Sequence, residues 1–246
     1  MNNYQLKYYK YKNKYLNLLN SQDLLNGGGA NSRHIVYYSE MDNQNYASVA
    51  VIPIFNDCVI LFTSSRNNVL YEAGGRIDSD SILDNNLVLE RNASRELYEE
   101  SRKTIYISPD ILRKLRLRDY AITTTSRYKY NGKNAKLKAY FCRINNLDLD
   151  SYYRNKETIN KKPGFNVYKE TNDIVLIPIS NIKNTTKINN SYYINDINNN
   201  KREISYQALM ILNDGFSLIK SPYDIGNGEN IIDINNNDKI ETFVYK

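Results

Sequence analysis

The sequence predicts an α+β domain with a mixed β-sheet and packed helices, preceded by a separate helix at the amino terminus. Three observations support this class. Runs of β-branched and aromatic residues, typical of strands, recur between residues 34 and 75. An amphipathic helical pattern follows at 82–101, and after further strand patterns a second one appears at 204–212. We therefore expect residues 1–30 to form a helix with a Gly-rich joint and residues 31–246 to form the main domain.

The individual elements follow from local patterns. Strands are predicted at 34–39, 46–54, 57–65, 70–75, 119–130, 136–144 and 173–179, with a short one at 104–107 and edge strands at 231–234 and 241–245. The dipeptide Asn131-Gly132 predicts a tight hairpin between two of them. Residues 109–115 are expected to form a helical turn, and the polar stretch 147–164 is expected to be a loop.

An acidic stretch on the helix predicted at 82–101 is the candidate metal site. Glu96, Glu99 and Glu100 stand three and four positions apart, so a helix places them on one face. Three neighbouring carboxylates repel one another, and a hard divalent ion such as Mg²⁺ or Mn²⁺ relieves that repulsion with all-oxygen ligation. A solvated acidic face is the alternative. The same helix has an apolar stripe for burial, formed by Leu89, Ala93 and Leu97.

The stretch from Gly74-Gly75 to Arg95-Glu-Leu-Tyr-Glu-Glu resembles the Nudix box, Gly-x5-Glu-x7-Arg-Glu-U-x-Glu-Glu-x-Gly-U, in which U is apolar. Nudix enzymes hydrolyse a nucleoside diphosphate linked to another group. The resemblance covers roughly residues 33–215 and implies the α/β/α sandwich of that family. It also implies Glu96, Glu99 and Glu100 as metal ligands, with Glu99 in a catalytic role.

The resemblance implies two more catalytic residues. Arg95 would hold one of the ligand carboxylates through a bidentate contact that Lys cannot reproduce; as an alternative, it is a surface partner of Glu99. A further carboxylate from a distant loop commonly serves as ligand or base in the family, and Glu170 stands before the apolar strand at 173–179. Glu157 and Asp173 are the alternatives for that carboxylate.

The match departs from the pattern in two places. Twenty positions separate Gly75 from Arg95 where the pattern has fourteen, so the first Glu of the pattern is missing and Glu90 is a candidate replacement. After the acidic pair, Arg102 stands where the pattern has Gly, and Lys103 stands at the apolar position. These departures affect loop geometry and substrate fit more than metal binding.

Composition narrows the function. The chain has 246 residues and a formal charge of +6, which favours polyanionic partners. With a single histidine, His34, the Ser-His-Asp, Cys-His and His-rich zinc chemistries are excluded. Cys58 and Cys142 lie in apolar strand patterns and are expected to be reduced core thiols. No apolar run is long enough to span a bilayer and no secretory signal is evident, so we expect no membrane partner and a cytoplasmic location.

Basic residues suggest contacts with RNA. The amino-terminal helix would carry Lys7, Lys10 and Lys14 beside a tyrosine-rich face, a pairing suited to RNA backbone and base stacking, although the pattern favours packing on the domain or a targeting role somewhat more. A second predicted RNA-binding patch surrounds the hairpin and consists of Lys129, Lys133 and Lys136, together with Lys138; hairpin tips are also often basic for solubility.

Together these features resemble the mRNA-decapping Nudix enzymes of large DNA viruses, in keeping with the Asn-, Ile-, Lys- and Tyr-rich composition. The resemblance implies cleavage of the 5′ cap of mRNA to release m7GDP and 5′-monophosphate RNA, in the host cytoplasm or in the virion. A diphosphoinositol polyphosphate or dinucleotide polyphosphate hydrolase is the competing enzyme, and a non-catalytic RNA-binding Nudix-like module is the third reading. The sequence leaves a homodimer open.

Overall fold

The computed structural model describes residues 34–78, 87–130, 133–161 and 169–224, and thirteen strands in these ranges form one mixed sheet. The strands are β1 His34–Ile35, β2 Tyr37–Ser39, β3 Gln44–Phe55, β4 Cys58–Ser64, β5 Leu70–Tyr71, β6 Ala73–Asp78, β7 Ala121–Tyr130, β8 Lys133–Arg143, β9 Thr171–Pro178, β10 Thr186–Ile188, β11 Ser191–Asn195, β12 Lys201–Ile204 and β13 Tyr223–Asp224. The helices are α1 Val88–Glu100, α2 Pro109–Leu117, α3 Leu149–Lys161, α4 Tyr206–Asp214 and α5 Phe216–Lys220, with a 3₁₀ segment at Ile179–Asn184.

Strand β3 is the centre of the sheet. It pairs in parallel with β8 and antiparallel with β6, and it runs through a tight turn into β4. Strand β4 continues the sheet through antiparallel pairing with β9. Strands β7 and β8 form the predicted hairpin, in which Tyr130 pairs with Lys133. The mixed sheet of an α+β fold is therefore confirmed.

Helices cover both faces of this sheet. Because side chains alternate along a strand, Val49 and Val51 of β3 point to one face, and Ala50 and Ile52 point to the other. The first face packs against α1, α2 and α3, and the second packs against α4 and α5. The structure thus has the three layers expected for an α/β/α sandwich, and α1 is held against the sheet by its buried apolar stripe.

Three expectations about elements were wrong. The polar stretch 147–164 is not a loop throughout, because helix α3 occupies Leu149–Lys161 and buries Tyr152 and Ile159. Residues 104–107 form no strand; they are an irregular connection that buries Ile105 and Ile107. Helix α1 begins at Val88, later than predicted.

Several predictions fall on parts of the chain that are not described. The amino-terminal helix with Lys7, Lys10 and Lys14, the Gly-rich joint and the edge strands at 231–234 and 241–245 all lie outside the described residues. Within the described ranges no helix is long and apolar enough to cross a membrane. Cys58 and Cys142 are buried and unbonded, as predicted, and burial raises the pKa of both thiols.

Candidate active site

A cavity of about 690 Å³ lies beside the carboxy-terminal half of α1. Helix α1, strands β5 and β6, the hairpin strand β7 and the start of β9 all contribute to its lining. Five glutamates line it: Glu72, Glu96, Glu99, Glu100 and Glu170. The structure therefore brings the three predicted ligands and the predicted distant carboxylate together in one place.

Arg95 organises two of these carboxylates. Its Nη2 atom lies 2.6 Å from Oε1 of Glu96, and its Nη1 atom lies 2.9 Å from Oε2 of Glu99. A planar guanidinium with donors in a fixed fork can hold two carboxylates in this way, which an ammonium group cannot. The structure thus places Arg95 inside the cavity, where it binds Glu96 as well as Glu99 and is more than a surface partner of Glu99.

The two glycines allow the sheet to approach the glutamates closely. The backbone N–H of Gly74 donates a hydrogen bond to Oε2 of Glu100 at 3.2 Å. A Cβ atom on Gly75 would lie only 2.4 Å from the Glu96 carboxylate. A side chain at position 75 therefore cannot coexist with the present position of Glu96.

Burial changes the acidity of the predicted ligands. It raises the pKa of Glu99 to about 7, against the opposing effect of Arg95. It also raises the pKa of Glu96, and it raises that of Glu100 well above its usual range with help from the neighbouring Glu96 charge. The charge of Glu170 adds to the increase at all three, so these four carboxylates interact electrostatically.

Glu72 belongs to the site and was missed by the sequence reasoning. Its side chain is 5% exposed, and its Oε2 atom has no hydrogen-bond partner within the described part of the chain. Burial raises its pKa to about 7. The available signal was an acidic residue between apolar strand residues, directly before Ala73-Gly74-Gly75.

Glu170 is held in the cavity by the chain that leads into β9. Its backbone carbonyl accepts a hydrogen bond from the N–H of Ser65 at 2.8 Å. The two alternatives do not line the cavity: Glu157 is exposed on α3, and Asp173 forms an ion pair with Lys156 at 3.8 Å. Of these three carboxylates, the structure therefore favours Glu170.

The proposed replacement role of Glu90 was wrong. Glu90 is 1% exposed, and its carboxylate binds Arg116 of α2 at 3.0 Å. Arg116 also binds Asp42 at 2.7 Å, and Asp42 lies 3.4 Å from Lys138. This buried network has a structural role, and it also removes Lys138 from the predicted RNA-binding patch.

Arg102 explains the departure from the motif glycine. Its φ of 52° lies in the left-handed region that glycine favours, so a glycine would fit this backbone without strain. The guanidinium is buried and donates to the carbonyl of Thr171 and to Oδ1 of Asn160, the latter at 3.2 Å. The hydroxyl of Thr171 in turn donates to the carbonyl of Glu100 at 2.7 Å. Arg102 therefore ties the end of α1 to the chain beside Glu170.

The donor chemistry of the cavity fits a hard divalent cation. Glu96, Glu99 and Glu100 would hold it, with Glu72 and Glu170 as further oxygen donors, because crowded buried carboxylates with raised pKa values gain most from a nearby positive charge. In the described ranges, however, no three His, Cys, Asp or Glu side chains are arranged as a ready ligand set. Arg95 binds Glu96 and Glu99, and these contacts compete with ion binding.

The predicted basic patch lies on the hairpin, outside the cavity lining. Lys129 is exposed on β7, Lys136 is half-buried on β8, and the side chain of Lys133 lies outside the described residues. Three arginines that the sequence reasoning missed do line the cavity, together with two tyrosines: Arg66, Arg76, Arg127, Tyr71 and Tyr128.

No protein-family model and no curated protein matches the chain. Among similar solved structures, a NUDIX-family hydrolase from Clostridium perfringens is 14% identical, covers 70% of this chain and 96% of its own, and has a TM-score of 0.36. A C. elegans Ap4A hydrolase binary complex is 14% identical, covers 54% and 80%, and has a TM-score of 0.32. A bifunctional NMN adenylyltransferase/ADP ribose pyrophosphatase from Francisella tularensis, complexed with AMP and a Mn ion, is 15% identical, covers 57% and 36%, and has a TM-score of 0.34. These TM-scores lie below 0.5, so the likeness by itself indicates neither family nor activity.

Proposed function

We propose that this chain is a Nudix-type hydrolase of phosphoanhydride bonds that depends on Mg²⁺ or Mn²⁺. One observation carries the proposal: the glutamates of the Arg95-Glu-Leu-Tyr-Glu-Glu stretch share one cavity with Gly74, Gly75 and Glu170. These are the motif parts that the sequence resemblance singles out. Their meeting brings the glycines of β6 against the glutamates of α1, which the resemblance implies.

Different residues of the cavity would perform different parts of the proposed hydrolysis. A bound divalent cation would neutralise phosphate oxygens and acidify a water molecule. Arg95 keeps Glu96 and Glu99 oriented. A carboxylate then accepts a proton from water as its oxygen attacks phosphorus and the bond to the leaving phosphate breaks. Glu170 is the proposed base, and Glu72 is a second candidate because its buried carboxylate lines the cavity and has an oxygen without a hydrogen-bond partner in the described residues.

We propose capped mRNA as the natural substrate, with release of m7GDP and 5′-monophosphate RNA. Support comes from the resemblance to viral decapping enzymes, from the net charge of +6 and from the exposed Lys129, which follows two cavity-lining residues on β7. RNA carries a dense negative charge that basic side chains attract. The proposed location is the host cytoplasm or the virion of a large DNA virus.

Substitution of the ligands tests the reaction. Glu99→Gln and Glu100→Gln should each lower turnover of a pyrophosphate substrate with Mg²⁺ or Mn²⁺ by about 100-fold or more, the effect expected for essential catalytic groups. Glu157→Gln, at an exposed position of α3, is the matched control and should retain full activity. Thermal melts should show that all three variants remain folded. Full activity of both ligand variants would contradict the metal assignment.

A substrate panel tests the identity of the substrate. The purified chain is given cap-labelled RNA, a dinucleotide polyphosphate and a diphosphoinositol polyphosphate under matched conditions. Release of labelled m7GDP with the highest kcat/KM supports decapping. A higher kcat/KM on either other compound selects the corresponding alternative. RNA binding without turnover of any compound indicates the non-catalytic module.

Deletion of residues 1–29 should weaken RNA binding if the amino-terminal segment contacts RNA.

A further inference from the structure

The active-site cavity contains positive charge that the proposed reaction does not use. Arg66, Arg76 and Arg127 line it, and all three side chains are exposed. We call them the arginine rim. Within the described residues, none of the three forms an ion pair with an acidic side chain, in contrast to Arg95.

A tyrosine holds two members of the rim close together. The guanidinium carbon of Arg76 lies 4.2 Å from the ring centroid of Tyr128, and that of Arg127 lies 5.0 Å from the same centroid. Arg127 also donates from Nη2 to the Tyr128 hydroxyl at 2.8 Å and lies 6.0 Å from the ring centroid of Tyr71. The two charge centres are therefore within about 9 Å of each other.

This arrangement favours an anionic ligand. The tyrosine attracts each cation through its ring, but the two cations repel each other. An anion bound to both would remove that repulsion and would use the fork geometry with which guanidinium groups bind phosphate. Arg76 and Arg127 both lie next to the Tyr128 ring, so a ligand that enters this part of the cavity meets two positive charges.

The arginine rim and the glutamates of α1 come from different parts of the chain. In the proposed function, Glu96, Glu99, Glu100 and a bound cation act on the phosphoanhydride that is cleaved. The arginine rim lies in the same cavity but on strands β6 and β7 and on the connection after β4. It is thus available to phosphates next to the one attacked.

We propose that the arginine rim binds additional phosphates, so that the substrate class consists of compounds with three or more phosphoryl groups. This inference rests on the proposed function and narrows it. It favours triphosphate-bridged or tetraphosphate-bridged nucleotides and multiply phosphorylated compounds over diphosphate-bridged ones.

A series with one variable tests this inference. Diadenosine compounds with two, three and four bridging phosphates keep the base and sugar constant. With Mg²⁺, kcat/KM should be about 10-fold to 100-fold higher for three or four phosphates than for two, the range expected for one charge-assisted contact. The double variant Arg76→Gln/Arg127→Gln should lose this preference, because its kcat/KM should fall more for the compounds with three and four phosphates than for the compound with two. The preference of the wild type should also fall at high salt.

Lys187→Gln is the matched control for the double variant. Lys187 is an exposed cation 5.5 Å from the ring centroid of Tyr192, outside the cavity lining, so its loss should leave the preference intact. Equal rates for all three compounds in the wild type, or an unchanged preference in the double variant, would contradict phosphate binding by the arginine rim. The proposed hydrolase activity would stand in either case.

Binding without turnover separates the two ideas further. Calorimetry with inorganic tripolyphosphate and pyrophosphate, in the absence of divalent metal, should show tighter binding of tripolyphosphate to the wild type and no such difference in the double variant. If no diadenosine compound and no other pyrophosphate is hydrolysed, the proposed function fails, and calorimetry alone decides the inference. Equal binding of both anions to the wild type contradicts it.

Discussion

Replacement of Arg102 by Gly restores the motif residue and should nevertheless destabilise the protein. The change relieves a left-handed backbone conformation, which costs a non-glycine residue about 1–2 kcal/mol. It also removes a buried hydrogen bond to the carbonyl of Thr171 and a partly buried one to Oδ1 of Asn160. Hydrogen bonds from a charged donor contribute about 1.5–3 kcal/mol each. The loss is larger than the gain, and the net decrease in the free energy of unfolding is about 3 kcal/mol.

The assay is thermal unfolding followed by calorimetry or fluorescence. For a protein of this size, about 3 kcal/mol corresponds to a decrease in Tm of about 6–12 °C. Lys103→Gly is the matched control, because Lys103 has the same left-handed conformation with a φ of 65° and its side chain is only partly buried. Its Tm should change by less than about 3 °C.

The result also bears on catalysis. Thr171 follows Glu170, and its hydroxyl binds the carbonyl of Glu100. Arg102→Gly should therefore lower kcat in the folded protein more than Lys103→Gly does. A Tm of Arg102→Gly equal to or above that of the wild type would refute the reasoning, because it would show that the left-handed backbone conformation, and not the contacts of the Arg102 side chain, decides the stability of this turn.

Further predictions follow from other contacts. The pKa values of Glu72 and Glu99 are raised to about 7 in the fold, so their contribution to stability is present below their unfolded pKa and is lost as pH rises through 7. Melts without metal should show Tm falling between pH 5 and pH 8 and recovering with Mg²⁺ at pH 8; a Tm that rises over this interval would contradict the burial argument. Gly75→Ala should displace the Glu96 carboxylate and lower kcat strongly with little change in Tm, since the clash involves a side-chain end; normal kinetics would show that this carboxylate is dispensable. Arg116→Met should lower the free energy of unfolding by about 3–5 kcal/mol, because the buried Glu90 carboxylate loses its ion-pair partner; the kcat of the folded variant should be nearly unchanged, and its measurement below Tm checks this.

The parts of the fold that were predictable have strong burial patterns. Strands β3 and β4 are almost wholly buried, and their apolar runs were recognised. Helix α3 was missed because only Tyr152 and Ile159 are buried among polar residues, which weakens the helical period. Strands β10 to β12 were missed for a related reason: all three residues of β10 are exposed, so its pairing with β11 produces no alternating pattern of hydrophobicity.

The site shows the same division between local and long-range information. Glu96, Glu99 and Glu100 could be placed together because helix geometry alone determines their spacing. Glu90 was misplaced although the same geometry excludes it, since six residues before Glu96 amount to about one and two-thirds turns and point elsewhere. Glu72 and the arginine rim could not be found in this way, because they reach the cavity through sheet pairing rather than through local spacing.

Glu99 and Glu100 are the last two residues of α1, and no basic residue occupies its last turn. Aligned peptide dipoles leave a partial negative charge at that end of a helix, so acidic side chains there are unfavourable by about 0.3–1 kcal/mol each. Burial of these carboxylates adds to that cost, so selection for thermostability alone would favour uncharged residues at these two positions and would yield stable but inactive proteins. Any directed-evolution campaign on this scaffold therefore has to screen activity together with heat resistance.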